Sequence, residues 1–283
     1  IKGKALNKPV WDLLGGKVRE KVPVYSHVGF LDKIETAVSD AVRQVNLGYK
    51  ALKLDPFMPE MKKSHRRYID GKISEQGASY ADDLMSEIRK AIGPSIELMI
   101  DAHGNFDVST ATELCNRMKK HNLIWFEEPL QPESIDAHRQ LRNNTDINLC
   151  IGERKYTRWD FAPYLQEGLV NYIMPDICWT GGISEMKRIA TLAETFYIPI
   201  SPHDASGAFN VISGAHVLMN VPNIYRLEMT DHSLENYNNV ITEPLDIRDG
   251  FLHLNNKPGL GYELNHDFIK SNPDPEWEKI WKN

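Results

Sequence analysis

Asp101, Glu127, Glu153, Asp176, His203 and Glu228 recur along the chain 26, 26, 23, 27 and 25 positions apart, each at the end of a short apolar run. Three carboxylates brought together repel one another unless a cation sits between them. Hard oxygen donors with room left for water and substrate oxygens suit Mg2+, so Asp101, Glu127 and Glu153 are the candidate ligands. Each acid alone reads more readily as a surface or salt-bridged group, and the case rests on the three together. His203, in Ser201-Pro202-His203-Asp204, follows Asp176, in Met174-Pro175-Asp176. On adjacent strand ends, the carboxylate can hold one ring nitrogen and make the other a better general base, although a lone histidine is more often structural. Glu228 can hydrogen-bond a substrate carboxylate as charge builds there, or it can be a buried acid bonded to Lys53. His103 lies two residues after Asp101, on the same side of an extended backbone. It can protonate a departing hydroxyl or simply face solvent.

Eight apolar runs must position these groups: Val22–Ser26, Ala51–Leu54, Ile96–Ile100, Ile124–Phe126, Leu149–Ile151, Tyr172–Met174, Ile198–Ile200 and Ile224–Leu227. Helix-period segments lie between them, such as Ala111, Leu114, Cys115 and Met118, or Met186, Ile189, Ala190, Leu192 and Ala193. Strand alternating with helix predicts parallel strands, and eight of them predict a closed (β/α)8-type barrel with every strand's C-terminal end on one face. An open sheet would spread the six ionisable groups along a crevice instead. Two stretches break the period. The polar segment from Met58 to Tyr80 suits either a flap over the mouth or a solvated insertion. From Asp231 to Asn283 the repeat ends and Pro, Asn and Gly accumulate, with a strand-and-turn signature over Leu252–Gly261, so this part is expected to leave the barrel and pack elsewhere.

With 283 residues, the chain has room for one large domain or for a barrel with an appendage. A net charge of -6 argues against a nucleic-acid partner. No apolar run approaches ~18 residues, so no membrane partner is expected. Cys115, Cys150 and Cys178 are far apart and odd in number, which fits a reducing cytoplasm rather than a disulfide framework. Ile1 to Lys8 read as the tail of a helix, and the chain is expected to be a fragment lacking an N-terminal region.

In this order and spacing the residues resemble the enolase superfamily, within it the mandelate racemase subgroup. The match runs through Lys8-Pro9-Val10-Trp11-Asp12-Leu13-Leu14-Gly15-Gly16, Asp101-Ala102-His103-Gly104-Asn105, Glu127-Glu128-Pro129, Gly152-Glu153-Arg154, Pro175-Asp176 with Gly181-Gly182-Ile183, Pro202-His203 and Glu228. The resemblance implies a modified TIM barrel, (β/α)7β, over residues 21–230. Residues 1–20 would end the passage from an α+β capping domain, and 231–283 would return to it. It also implies Mg2+ on Asp101, Glu127 and Glu153, a His203–Asp176 base and Glu228 supporting the enolate, as in the superfamily example of a histidine base with Mg2+. Racemases of the subgroup carry a Lys-x-Lys pair whose second lysine is the opposite base; here the pair reads Lys53-Leu54-Asp55. That departure counts against racemisation. Asp101-x-His103, with Gly152-Glu153-Arg154, Arg158 and Phe161, resembles galactonate- and mannonate-type dehydratases. An acid-sugar dehydratase is therefore the expected function, with His103 as acid, Lys53 on the enediolate, Arg154 binding substrate, Asp55 either binding a substrate hydroxyl or pairing with Lys53, and a homo-oligomeric state. The alternatives are a racemase or epimerase on the same scaffold and a relative that only binds metal.

Overall fold

The apolar runs take up a parallel sheet: β1 (Val22–His27), β2 (Ala51–Leu54), β3 (Glu97–Asp101), β4 (Phe126–Glu127), β5 (Leu149–Ile151), β6 (Tyr172–Ile173) and β7 (Leu227–Glu228). The structure, a computed structural model, describes residues 1–64, 71–204 and 206–273. Each of the first five strands pairs in parallel with the next, and β7 pairs with β1 through Val24–Leu227 and Tyr25–Glu228. Isolated parallel bridges, Ile173–Ile200 and Ile200–Ile224, carry the circuit from β6 to β7. The expected strand Ile198–Ile200 is thus reduced to single bridges. Pro199 and Pro202 lack the N–H groups a ladder needs, which accounts for the loss. The chain is of the α/β class, with the parallel circuit of a modified TIM barrel.

Helices cover the outside of the sheet. Ser74, Asp107 and Ser134 cap the helices Glu75–Ile92, Val108–Met118 and Ile135–Asn144, each side chain accepting an N–H of the first turn. Their apolar stripes face the strands, as with buried Ala111, Leu114, Cys115 and Met118. Inside the ring, Tyr25, Met99, Trp125, Cys150 and Met174 are buried with Tyr172 and Tyr225 packed against them. This aromatic layer seals the floor below the ionisable groups.

Helix Met58–Ser64 follows β2, and at the return Asp107 N–H donates to the Gly71 carbonyl at 2.9 Å. The centre of the expected flap, 65–70, lies outside the described residues. The C-terminal stretch leaves the repeat, and part of it runs beside the start of β1. Its strands β8 (Asp246–Arg248) and β9 (Phe251–His253) form a hairpin, and β9 runs antiparallel to the start of β1 through Val22–Leu252 and Pro23–Phe251. β1 has six residues and gives only its later ones to β2 and β7, so its first residues extend past the ring and accept β9. At the other end of this stretch, Tyr237 donates to Asp204 at 3.0 Å and Arg43 pairs with Asp231 at 2.8 Å, bringing the segment to the mouth. No helix among the described residues is long and apolar enough to cross a membrane.

Candidate metal centre and active site

Asp101 and Glu127 are the last residues of β3 and β4 and are paired across the ladder. Glu153 lies two residues beyond β5, past Gly152, whose φ is +139°. A Cβ on Gly152 would meet Phe161 Cε1 at 2.8 Å and Met174 N at 2.9 Å, so only glycine lets the chain turn here and deliver Glu153. One oxygen from each of the three carboxylates can be chosen so that all lie within 4.8 Å of one another. That spread is close to what ligands at about 2.0–2.6 Å from one hard cation require. All three side chains are buried. Burial and the neighbouring Asp101 drive Glu127 well above the usual carboxylate range, which marks negative charge the protein's own groups leave under-compensated. The residues fit a divalent cation.

Lys53, fully buried on β2, sends its ammonium to Glu228 at 2.8 Å, Glu127 at 2.9 Å and Asp101 at 3.3 Å. Burial would lower its proton affinity, but Glu127 and Glu228 outweigh that and raise it well above the ordinary value. Glu228 accepts from Lys53, from the Asp204 N–H at 3.0 Å and from His27 at 2.5 Å. Burial acts to raise Glu228, yet Lys53, His203 and His27 hold it well below the ordinary range. Among these contacts Glu228 is the acceptor, and Lys53 is one of its donors, as the reading of a buried acid bonded to Lys53 expects. His27, the final residue of β1, stands one residue past the apolar run Val22–Ser26. Extending it by one residue adds another ionisable strand end.

His203 and Asp176 join through an isolated bridge and through His203 Nδ1 to Asp176 Oδ2 at 2.8 Å. Asp176 also accepts from the Cys178 N–H at 2.7 Å and from Asn210 Nδ2 at 3.1 Å. Asn210, on the helix Ala208–Asn220, carried no sequence signal. His203 Nε2 lies 3.4 Å from Glu153 Oε2. Burial alone would depress the ring, but Glu228 and Asp176 push it up to about 9. The indole of Trp179 flanks it, centroids 6.1 Å apart.

His103 does not continue the strand. Its φ of +51° turns the backbone into the left-handed region, with Gly104 following at +66°. The ring still reaches the triad, with Nε2 3.5 Å from Asp101 Oδ2, and Nδ1 meets Asp55 Oδ2 at 2.8 Å. Burial lowers its proton affinity, and Asp101 and Asp55 reverse that to about 9. Asp55 is buried and bonded to His103, not to Lys53. Arg154 reaches Glu128 and, at 3.0 Å, Glu153, so its guanidinium engages a candidate ligand and that ligand's neighbour. Burial and Glu153 push Glu128 up to about 8. A cavity of about 380 Å3 opens beside this cluster, lined by His27, Phe30, Leu54, Asp55, Asp101 and His103 among others.

Residues 36–268 match the family model described as "Enolase C-terminal domain-like". The chain is 30% identical over 273 residues to the D-gluconate dehydratase of Thermoproteus tenax, covering 95% of this chain but 53% of that protein. It is 31% identical over 291 residues to the D-galactonate dehydratase of Pectobacterium atrosepticum, covering 100% of this chain and 74% of that one. The chain thus spans about half the length of the first of these relatives and three quarters of the second. Among solved structures, a mandelate racemase/muconate lactonizing enzyme-like protein from Rubrobacter xylanophilus superposes with a TM-score of 0.89 at 32% identity, over 97% of this chain and 74% of that chain. A mandelate racemase/muconate lactonizing enzyme from Sulfitobacter gives 0.90 at 28% identity, over 96% and 69%. Fold, carboxylate triad and sequence agree, and the chain belongs to the enolase C-terminal domain-like family.

Proposed function

We propose that the protein is a Mg2+-dependent acid-sugar dehydratase, a lyase that removes the proton beside a carboxylate and expels the 3-hydroxyl. The observation that carries this reading is the convergence of Asp101, Glu127 and Glu153, flanked by two imidazoles each held by an aspartate. Dehydratase relatives acting, by name, on gluconate and galactonate support the substrate class. When bound to the triad, the cation supplies Lewis-acid stabilisation of the charge that develops on the substrate carboxylate. Lys53 places a buried ammonium beside the triad, a preorganised donor for the enediolate oxygens. Glu228 holds Lys53 and His27 in place. His203, its tautomer fixed by Asp176, takes the C2 proton through Nε2. His103 gives its Nε2 proton to the 3-hydroxyl as it leaves, and the enol product tautomerises to a 2-keto-3-deoxy acid. We assign Arg154 to steadying Glu153 rather than to the substrate. Racemisation fits less well, because the position of the second lysine holds Asp55, which is tied to His103. Three unpaired cysteines accord with a cytoplasmic setting.

The test is a screen of D-gluconate, D-galactonate, D-xylonate and arabinonate with the intact protein and Mg2+. At least one acid should yield a 2-keto-3-deoxy product, and chelation should abolish turnover. His203→Asn should remove activity while calorimetry still records Mg2+ binding. Near wild-type dehydration by that variant would overturn the base assignment. Recovered substrate carrying solvent deuterium at an inverted C2 would point to an epimerase instead.

A further inference from the structure

We infer that Asp55 is the positioning residue for His103, and that the two form a second imidazole–carboxylate pair facing His203–Asp176 across the mouth. The inference rests on the dehydratase reading for its chemistry, though its geometry stands alone. The two pairs are built alike. Asp176 accepts a loop N–H from Cys178 at 2.7 Å on one oxygen and the His203 Nδ1 at 2.8 Å on the other. Asp55 accepts the N–H groups of Phe57 and Met58 at 2.9 and 3.0 Å on Oδ1, and meets the His103 Nδ1 at 2.8 Å on Oδ2. In each pair the remaining ring nitrogen faces an outer carboxylate of the triad, at 3.4 Å from Glu153 and 3.5 Å from Asp101. His103 follows the third strand of the circuit and His203 follows the seventh run, so the imidazoles stand on opposite walls.

Asp55 has little left to offer a substrate. It is buried, both oxygens are engaged, and the Lys53 ammonium goes to Glu228, Glu127 and Asp101. What Asp55 can do is demand a hydrogen on Nδ1, which leaves Nε2 as the atom that exchanges a proton with the ligand. It also pins the ring of a residue whose backbone sits in the left-handed region. The step it serves balances as follows. His203 takes the C2 proton, the C2–H electron pair becomes the C2–C3 π bond, and the C3–O pair leaves with the hydroxyl. The Nε2 proton of His103 joins that hydroxyl as water.

Asp55→Asn keeps an oxygen for Phe57 and Met58 but turns an NH2 group toward His103, reversing the hydrogen bond. The experiment uses the intact Mg2+-loaded protein and whichever of the four acids the wild type dehydrates, together with the 3-deoxy-3-fluoro analogue of that acid. Fluoride departs without a proton. In Asp55→Asn, dehydration should fall by roughly 10²–10⁴-fold, the range of a lost general acid, while fluoride loss and C2 exchange in D2O each fall less than about tenfold. His103→Gln, at a partly exposed position, should show the same split and so guards against a misfolded Asp55 variant. A downfield imidazole N–H resonance, bonded to the carboxylate, should be present in the wild type and lost in both variants. Dehydration retained in either variant would overturn the inference, as would loss of exchange and fluoride release together in folded His103→Gln. If the wild type dehydrates none of the acids, the dehydratase reading fails. The resonance then decides the pair by itself, and its absence from the wild type refutes it.

Discussion

Replacing Lys53 by Met separates the electrostatics of the centre from its catalysis. The ammonium is fully buried and lies within 3.3 Å of three carboxylates, Asp101, Glu127 and Glu228. Methionine fills a similar volume but removes the ammonium that those three acids share. Removing one partner from a buried ionic cluster costs about 3–5 kcal/mol, because the remaining charges stay desolvated and repel. For 283 residues the unfolding entropy is about 0.6 kcal/mol per kelvin, so the melting temperature should fall by about 5–8 °C. The loss should depend on metal. A divalent cation on Asp101, Glu127 and Glu153 neutralises much of the same charge, and any ligand that binds only the folded state adds stability by mass action, about 2.7 kcal/mol at a hundred times its Kd. Calorimetric melts of wild type and Lys53→Met, in EDTA and in saturating Mg2+, form a closed square. The variant's deficit should be full in EDTA and shrink by half or more in Mg2+. A deficit that is the same in both conditions would show that Lys53 and the cation do not share one field, and the placement of the metal would be wrong.

Gly152→Ala should cost about 1–3 kcal/mol, the range for a strained backbone, because its φ is +139° and a Cβ would strike Phe161 and Met174. It should also weaken Mg2+ binding by calorimetry, since Glu153 is displaced; unchanged affinity would separate the turn from the site. Burial acts to raise Asp40, but the Gly29 N–H, His232 and Arg43 outweigh it and hold the carboxyl below its ordinary value. The folded value being the lower one, its contribution is present above the unfolded value of about 3.9 and vanishes as pH falls through the folded value. Urea midpoints should therefore decline between about pH 5 and 3 in the wild type, and less steeply in Asp40→Asn; parallel declines would assign the loss to other groups. Cys115 and Cys150 are buried with their thiols pushed upward by burial, whereas Cys178 is exposed. A thiol reagent should modify one cysteine of the native protein and three after denaturation, and two native adducts would contradict the packing.

The strand-end residues were legible because the repeat is mechanical. A short strand, a turn and a covering helix consume similar lengths of chain, so ionisable residues at that interval return to one face. The triad and the His203–Asp176 contact came from this regularity. Partner choice did not, because it depends on neighbours in space. Asp55 stands two residues after Lys53, just past the end of β2, which suggests a pair, yet the ammonium goes inward and the carboxylate meets His103. Arg154 follows Glu153 and turns to Glu128 on the preceding strand's loop. The strand at Ile198–Ile200 failed for a reason present in the sequence, the proline within it, while the return of β9 onto β1 needed the strand lengths.

These partner choices converge on one requirement. Below the acids, buried Trp125 packs with Tyr172 and Tyr225. Lys53 is shared among three carboxylates, and Glu153 leans on Arg154 at the rim. Trp125 adds an indole N–H to Glu127 at 3.0 Å, a dipole where a full charge is needed. On the proposed dehydratase reading, a hard dication on the triad would balance this cluster, and a substrate carboxylate beside it would meet Lys53 and His27, both held by Glu228.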